Sequence, residues 1–353
     1  MAYTVIDDPS AHFQVKGWTG NASSQAVTLD GNSDMQPDLY WHKQPEATNG
    51  WHNIDSSRGV TKILASQGTG AESTYSGYLT SFDSNGFTVP TGDTSSNANN
   101  TPQLSWLWKA NGGSVSNNTD GDLTTSVQAN QAAGFSIVTY SPPNDTARTI
   151  GHGLGAVPKF VIIRARNRSE NWSVFHHSMG TGGHILDNTS IFNSNSVLGA
   201  TLPTSSVFTL GTDWRMNGAY NYVAWCWANV KGYSKFGRYK GNGSYDGIMI
   251  NTGFKPATVI IKNTEQTEPW IIYNTERSPY NSTNKKMSPG DAGAENAVSG
   301  QGDAAYNMID ILSNGFKLRS NSGAANVNDK TLIYAAWAGE PLVSSGGVPA
   351  TAH

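Results

Sequence analysis

Histidines, carboxylates and one cysteine are the residues that could do chemistry in this chain, and their spacing decides which chemistry is open. His176 and His177 are adjacent and His184 follows, a set that could ligate a metal. Neighbours on a strand point to opposite faces, however, so the pair cannot chelate together and no metal site is expected. Asp30-Gly31-Asn32-Ser33-Asp34 offers oxygens for calcium but lacks the loop-ending bidentate Glu, and reads as a turn. Gly151-His152-Gly153-Leu154-Gly155 has the glycines of a phosphate loop without its Lys-Ser/Thr ending, and precedes a β-rich run instead of a helix. No Gly-Xaa-Ser-Xaa-Gly elbow occurs. Cys226, the single cysteine, excludes an intrachain disulfide and a multi-cysteine metal site, and its setting Ala224-Trp225-Cys226-Trp227 makes it a core residue. A glycosidase needs only two suitably separated carboxylates, so that chemistry stays open. Three related lobes without a distinctive acid cluster point away from an enzyme, and no catalytic residue or cofactor is expected.

Two further sets could bind. Asp55 and Arg58 follow Trp51 by four and seven residues, and Asn274 and Arg277 stand at the same offsets from Trp270, with Glu72 and Glu295 downstream. An arginine between carboxylates ties a loop to the body, and repetition implies architecture. Asp55, Arg58, Glu72, Arg277 and Glu295 are therefore expected to form structural ion pairs. Met179 replaces the arginine in the middle copy. Among aromatics, those outside any repeat are the ligand candidates, because their loops vary without breaking the frame: Trp214, Tyr75, Tyr78 and Tyr280.

The elements that must position these residues are repeated. Pro37–Lys43–Trp51, Pro158–Arg164–Trp172 and Pro256–Lys262–Trp270 share one spacing, the cation six and the tryptophan 14 residues after the proline. Proline opens a β-rich run, as in Phe160-Val161-Ile162-Ile163, and the tryptophan begins the next strand after a polar loop. Ser84-Asn85-Gly86-Phe87 and Ser313-Asn314-Gly315-Phe316 carry the Asn-Gly pair of a type I′ turn, with Val207 in place of the glycine in the middle copy. Each copy closes on an apolar, aromatic strand ending in Trp108, Trp227 or Trp337, which suggests burial on both faces. The frame tryptophans Trp51, Trp108, Trp172, Trp227, Trp270 and Trp337 are expected in the core. The expected organisation is all-β: three tandem related β-sandwich-like lobes of six to eight strands with Gly/Asn/Ser-rich loops. The boundaries are residues 1–111, a linker or long surface loop at 112–133, 134–231, 232–341, and a tail at 342–353 that is mobile unless a partner orders it.

Composition agrees. Only 14% of residues are charged, while 38 glycines and 11 tryptophans mark a β protein with polar, uncharged loops. The net charge of −3 supplies no basic stripe for a phosphate backbone, so nucleic acid is not an expected partner. The start, Met1 to Asp8, has no basic region followed by an apolar stretch, so neither a signal peptide nor membrane insertion is expected.

Asp55-Ser56-Ser57-Arg58-Gly59-Val60-Thr61-Lys62, Leu79-Thr80-Ser81-Phe82-Asp83-Ser84-Asn85-Gly86-Phe87 and Thr149-Ile150-Gly151-His152-Gly153-Leu154-Gly155-Ala156-Val157-Pro158-Lys159 resemble repeat-containing, tail-fibre-like structural proteins of tailed, especially marine, bacteriophages. Tyr222 to Trp227, Gly232 to Gly237 and Thr252 to Ala257 carry the same likeness, although heptads, a triple-helical shaft and an anchoring domain are missing. The resemblance implies a non-enzymatic virion component, assembled in the host cytoplasm and released by lysis. Its expected partners are other virion proteins, copies of itself in a homo-oligomer such as a trimer, and a host surface glycan or outer-membrane component. A tail-fibre or host-attachment module is the first expectation, a head or tail decoration protein the second, and a polysaccharide-degrading enzyme the last.

Overall fold

The computed structural model describes residues 4–190, 198–199, 201–296, 309–344 and 346–352. The chain is all-β, and among the described residues its helical structure is two 3₁₀ turns, Pro9–Ala11 and His177–Met179. No described helix is long and apolar enough to cross a membrane.

Each lobe pairs a large antiparallel sheet with a small one. In lobe 1, β1 (Phe13–Thr19), β9 (Pro102–Trp108), β3 (Leu39–Lys43) and β4 (His52–Asp55) form the large sheet in that order. Its small sheet is β2 (Gln25–Thr28), β8 (Gly86–Val89) and β7 (Ser81–Asp83), with β5 (Lys62–Ile63) and β6 (Ser73–Thr74) as a short hairpin. Lobe 2 orders β10 (Ser116–Asn118), β11 (Thr125–Asn130), β12 (Phe135–Tyr140), β18 (Tyr222–Ala228), β14 (Pro158–Ala165), β15 (Ser173–His176) and β16 (Gly183–Ile185). Its small sheet is β13 (Arg148–Gly151) with β17 (Val207–Leu210). Lobe 3 orders β19 (Ser234–Lys240), β26 (Thr331–Pro341), β21 (Phe254–Asn263), β22 (Ile271–Asn274) and β23 (Lys286–Met287), beside β20 (Met249–Asn251), β25 (Gly315–Leu318) and β24 (Ile309–Leu312). The lobes thus hold nine, nine and eight described strands, one more than expected in the first two.

The proline-to-tryptophan spacing spans the same hairpin three times: β3–β4, β14–β15 and β21–β22. Pro158 opens its strand and Pro37 precedes one, but Pro256 lies inside β21. The ladder tolerates it because the register against β26 shifts on both sides of the proline, and a bulge spares its missing N–H.

Two expectations need correction. The linker at 112–133 carries β10 and β11, and β11 pairs with β12 along Ser126–Asn130. Its entry is fastened by Asp38, whose carboxylate accepts from the backbone N–H of Ala110 (2.7 Å), Gly112 (2.9 Å) and Gly113 (2.7 Å). The tail folds back on itself through Ser344 N–H to Val348 O (3.0 Å) and Ala350 N–H to Leu342 O (2.9 Å), while Ser345 and His353 lie outside the described residues. Type I′ turns fail too: Ser84, Asn85, Ser313 and Asn314 keep negative φ. The glycines answer a different need. A Cβ on Gly86 would meet Val27 O at 2.0 Å, and one on Gly315 would meet Ile250 O at 2.0 Å. In lobe 2 the glycine has moved across the ladder, where Gly151 faces Val207.

Strand periodicity explains the burial. On β9 and β18, Trp106, Trp108, Trp225 and Trp227 face a core shared by all three lobes, while Leu107, Ala224 and Cys226 face their own small sheets. At the centre Trp108, Trp227 and Trp337 form a triangle with ring centroids 5.7, 5.3 and 5.7 Å apart and interplanar angles of 65°, 73° and 68°. That is an edge-to-face triad, and all three rings are buried. None of their indole N–H groups has a nitrogen or oxygen partner, so the neighbouring ring faces are the acceptors at hand. Trp337→Ala is expected to cost about 3–5 kcal/mol in denaturant unfolding. The Trp108→Ala/Trp337→Ala double variant should cost less than the sum of its singles, because the rings share one contact; strict additivity would contradict the triad.

Candidate functional site

The frame residues proved to be fasteners between lobes. Trp51 Nε1 donates to Ser288 O and Asp291 O (both 2.9 Å), Trp172 Nε1 to Ala65 O (3.0 Å) and Trp270 Nε1 to Ile185 O (2.9 Å). Lobe 1 thus reaches lobe 3, lobe 2 reaches lobe 1, and lobe 3 reaches lobe 2. The cations repeat this direction. Lys43 Nζ donates to Ala292 O (2.9 Å), Arg164 Nη2 to Gly70 O, and Lys262 Nζ to Thr189 O (3.3 Å). Six residues at one spacing therefore close a ring, and all six are buried.

The expected ion pairs are present and also bridge lobes. Arg58 Nε binds Asp55 Oδ2 at 2.6 Å and Arg58 Nη1 binds Glu72 Oε2 at 3.0 Å, while Arg166 of lobe 2 grips Glu72 with two bonds of 2.9 Å. Arg277 holds Glu295 (2.5 Å) and reaches Glu46 of lobe 1 (2.8 Å). Lobe 2, lacking the arginine, uses histidines. His176 Nε2 lies 3.1 Å from Tyr334 O, and His177 Nε2 3.0 Å from Phe236 O, both in lobe 3. The pair does not point to opposite faces as expected, because β15 ends at His176 and a 3₁₀ turn begins. The two rings stack with centroids 5.3 Å apart.

A repeated residue that sequence reading missed organises the variable loops. Asn97, Asn217 and Asn326 precede the closing tryptophans by eleven, ten and eleven residues. All three are buried, and each closes a one-turn loop through its backbone N–H, to Asp93 O (3.0 Å), Asp213 O (2.9 Å) or Ser322 O (2.8 Å). Their side-chain amides fasten neighbouring segments: Asn97 to Ser23 O and Pro90 O, Asn217 to Thr146 O and Gly211 O, Asn326 to Ser244 O and Ser320 O. Asn97 and Asn326 also accept through Oδ1 from Asn21 N–H and Asn242 N–H (both 3.0 Å). Counting from the residue opposite each closing tryptophan, Pro143 occupies the equivalent place in lobe 2. Proline has no N–H, and Asn217 Oδ1 is left buried without a partner.

This turn is where two of the four candidate aromatics meet the surface. In lobe 1, Tyr75 is 45% exposed and its hydroxyl donates to Asp93 Oδ2 (2.8 Å). In lobe 2, Trp214 is 46% exposed and sits in the turn itself. Lobe 3 has Gly323 and Ala324 there, and a Cβ on Gly323 would meet Glu268 Oε1 at 2.0 Å. Tyr78 is half-buried, stacked on His52 with centroids 3.5 Å apart, and so packs the turn in place of offering a face. Tyr280, 80% exposed, stands apart on the loop after Arg277.

A cleft of about 970 Å³ opens beside Trp214, lined by Glu170, Asn171, Thr201, Asp213 and Arg215 among others. Its loop is held by Asn217 and by two tyrosine hydroxyls, Tyr222 Oη to Trp214 O (2.9 Å) and Tyr140 Oη to Met216 O (3.0 Å). One indole face is covered by the Arg168 guanidinium, 3.8 Å from the ring, which in turn lies 4.9 Å from Tyr220. Trp214 also lines the cleft, so the indole keeps accessible surface there while Arg168 packs on the ring. Burial alone would raise the Asp213 carboxyl, but its pairing with Arg215 outweighs burial and holds it below the usual range. That carboxylate stays ionised near neutrality, suited to accepting hydrogen bonds and unsuited to giving a proton.

The family model described as "Domain of unknown function (DUF7483)" matches residues 8–341. The chain belongs to this family. The DUF7483 match runs from Asp8, which caps the first 3₁₀ turn, to the last residue of β26, and so takes in all three lobes as one unit. No curated protein matches the chain.

Acid should loosen the ring. Burial pushes His42 down to about 4, and His176 and His184 down to about 3. Once unfolded, each returns towards 6.5 and binds a proton the folded chain refuses. The unfolded state therefore holds more protons below pH 6.5, and stability falls as pH falls, by up to about 1.4 kcal/mol per histidine per pH unit. The melting temperature should drop steadily from pH 7 to pH 5; a flat profile over that window would contradict this assignment.

Proposed function

We propose that this chain is a non-enzymatic structural protein of a bacteriophage virion, a tail-fibre or host-attachment module that meets a host surface glycan or protein. The observation that carries the reading is a pair of exposed aromatics at equivalent turns of two lobes, Tyr75 bonded from a neighbouring loop to Asp93 and Trp214 within the turn after Asp213, mounted on a closed ring. A rigid frame with variable aromatic loops is the arrangement that recognition surfaces use, because ordering costs are met before the ligand arrives. The ionised state of Asp213 favours binding over acid catalysis in the one cleft that holds an exposed indole among the described residues. The resemblance of the repeat motifs to tail-fibre-like phage proteins supplies the setting. In that setting the module assembles in the host cytoplasm, joins other virion proteins, acts in several copies and leaves by lysis. Weak sites on a multivalent particle then add through avidity.

Antibodies raised against the purified chain test this on intact particles. The expected result is labelling at the tail by cryo-electron microscopy, together with loss of adsorption to host cells. Labelling confined to the head with adsorption unchanged would favour a decoration protein instead. Absence from the particle would overturn the virion reading.

A further inference from the structure

We infer that the lobe 2 cleft binds a neutral sugar ring stacked on the free face of Trp214, with hydroxyls held by the Asp213–Arg215 fork. This deepens the attachment reading and rests on it for its biological setting.

Three features of the cleft select the ligand. The first is an indole whose position is fixed before binding. Arg168 backs one face at 3.8 Å and donates through Nη1 to Tyr220 Oη (2.8 Å), while Tyr222 and Asn217 hold the loop backbone. An exposed aromatic face supported in this way offers flat apolar area at little entropic cost, which suits the C–H-lined face of a pyranose.

The second is charge. Among the described lining residues each acid faces an arginine. Asp213 takes Arg215 Nε on both oxygens (3.0 and 2.9 Å), and Glu170 Oε2 lies 4.0 Å from Arg168 Nε. A ligand with its own net charge would have to break one of these pairs to gain a partner. A neutral ligand leaves both intact.

The third is the polar rim. Asp213 and Arg215, joined through Nε and Nη2, set acceptors and donors side by side on the cleft lining, the pattern that adjacent hydroxyls match as both donors and acceptors. Thr201 and Thr212 add hydroxyls, and Asn171, already bonded through Nδ2 to Asp187 (2.8 Å), keeps its carbonyl oxygen for an incoming donor. At about 970 Å³ the cleft has room for more than one ring, so a short oligosaccharide fits better than a single sugar.

Saturation-transfer NMR on the full chain tests this with methyl β-glucopyranoside, methyl β-galactopyranoside and N-acetylglucosamine as neutral probes. N-acetylneuraminic acid and glucosamine serve as charged ones. At least one neutral probe should show transfer with millimolar affinity, and both charged probes should be weaker. Trp214→Ala should lower that affinity at least tenfold with no change in melting temperature, and Trp214→Phe should recover part of it. Equal transfer in wild type and Trp214→Ala, no transfer from any neutral probe, or preference for a charged probe would each overturn the inference. If the cleft fails while antibodies still block adsorption, the attachment reading stands without it. If sugars bind but the protein is absent from the tail, the cleft stands and the attachment reading falls.

Discussion

Each large sheet in this protein has two apolar faces and only one small sheet of its own to cover them. The second face must therefore be buried by the other lobes, and everything else follows from that constraint. Tyr40, Ile54 and Leu107 settle the first face of lobe 1 against Phe87 and Val89, while Trp41, Trp106 and Trp108 are left for the centre. Lobes 2 and 3 present Trp225, Trp227 and Trp337 to the same place. At roughly 25 cal/mol per Å² of apolar surface removed from water, six indoles buried at one junction outweigh any of the surface ion pairs. A lobe separated from its neighbours would expose this whole face.

Burying a face this wide brings backbone and cations into the dry centre, and the repeated frame is how their hydrogen-bonding needs are met. Trp51, Trp172 and Trp270 spend their N–H groups on carbonyls of the neighbouring lobe, and Lys43, Arg164 and Lys262 do the same one strand away. Because every such bond runs in the same direction round the ring, the lobes are coupled as a cycle and not as a row. The exceptions fall where lobe 2 departs from its sisters. Met179 in place of an arginine hands its junction to His176 and His177, and Pro143 leaves Asn217 with an unpartnered oxygen beside the loop that carries Trp214. A lobe that relaxes the common rules at the loop with an exposed aromatic is where a repeat protein has room to acquire a ligand.

Much of this was legible in the sequence. Strand-rich runs, the threefold spacing and the doubly buried closing strands follow from residue type and period alone. The direction of the fasteners was not, because their acceptors are backbone carbonyls such as those of Ala65 and Ile185, which leave no mark in residue type. The Asn97, Asn217 and Asn326 series was visible in principle ten or eleven residues before each closing tryptophan, but a chain this rich in asparagine hides it. β11 was hidden differently. Thr125-Ser126-Val127-Gln128-Ala129-Asn130 is polar on alternate residues and sits among glycines and serines, yet pairing with β12 overrides that local character. Of the four candidate aromatics, Trp214 lies in the turn that Asn217 closes and Tyr75 reaches the equivalent one from another loop through Asp93, which spacing could not reveal because they lie at different offsets in their repeats.

The central claim is that three sandwich lobes make one folding unit through a shared core closed in a ring. Differential scanning calorimetry of the intact chain tests it most directly. One transition with equal calorimetric and van't Hoff enthalpies is the predicted result, since no lobe can lose its neighbours and keep its inner face covered. Two or three resolved transitions, each with its own enthalpy, would contradict the account and return the lobes to independent domains on a string.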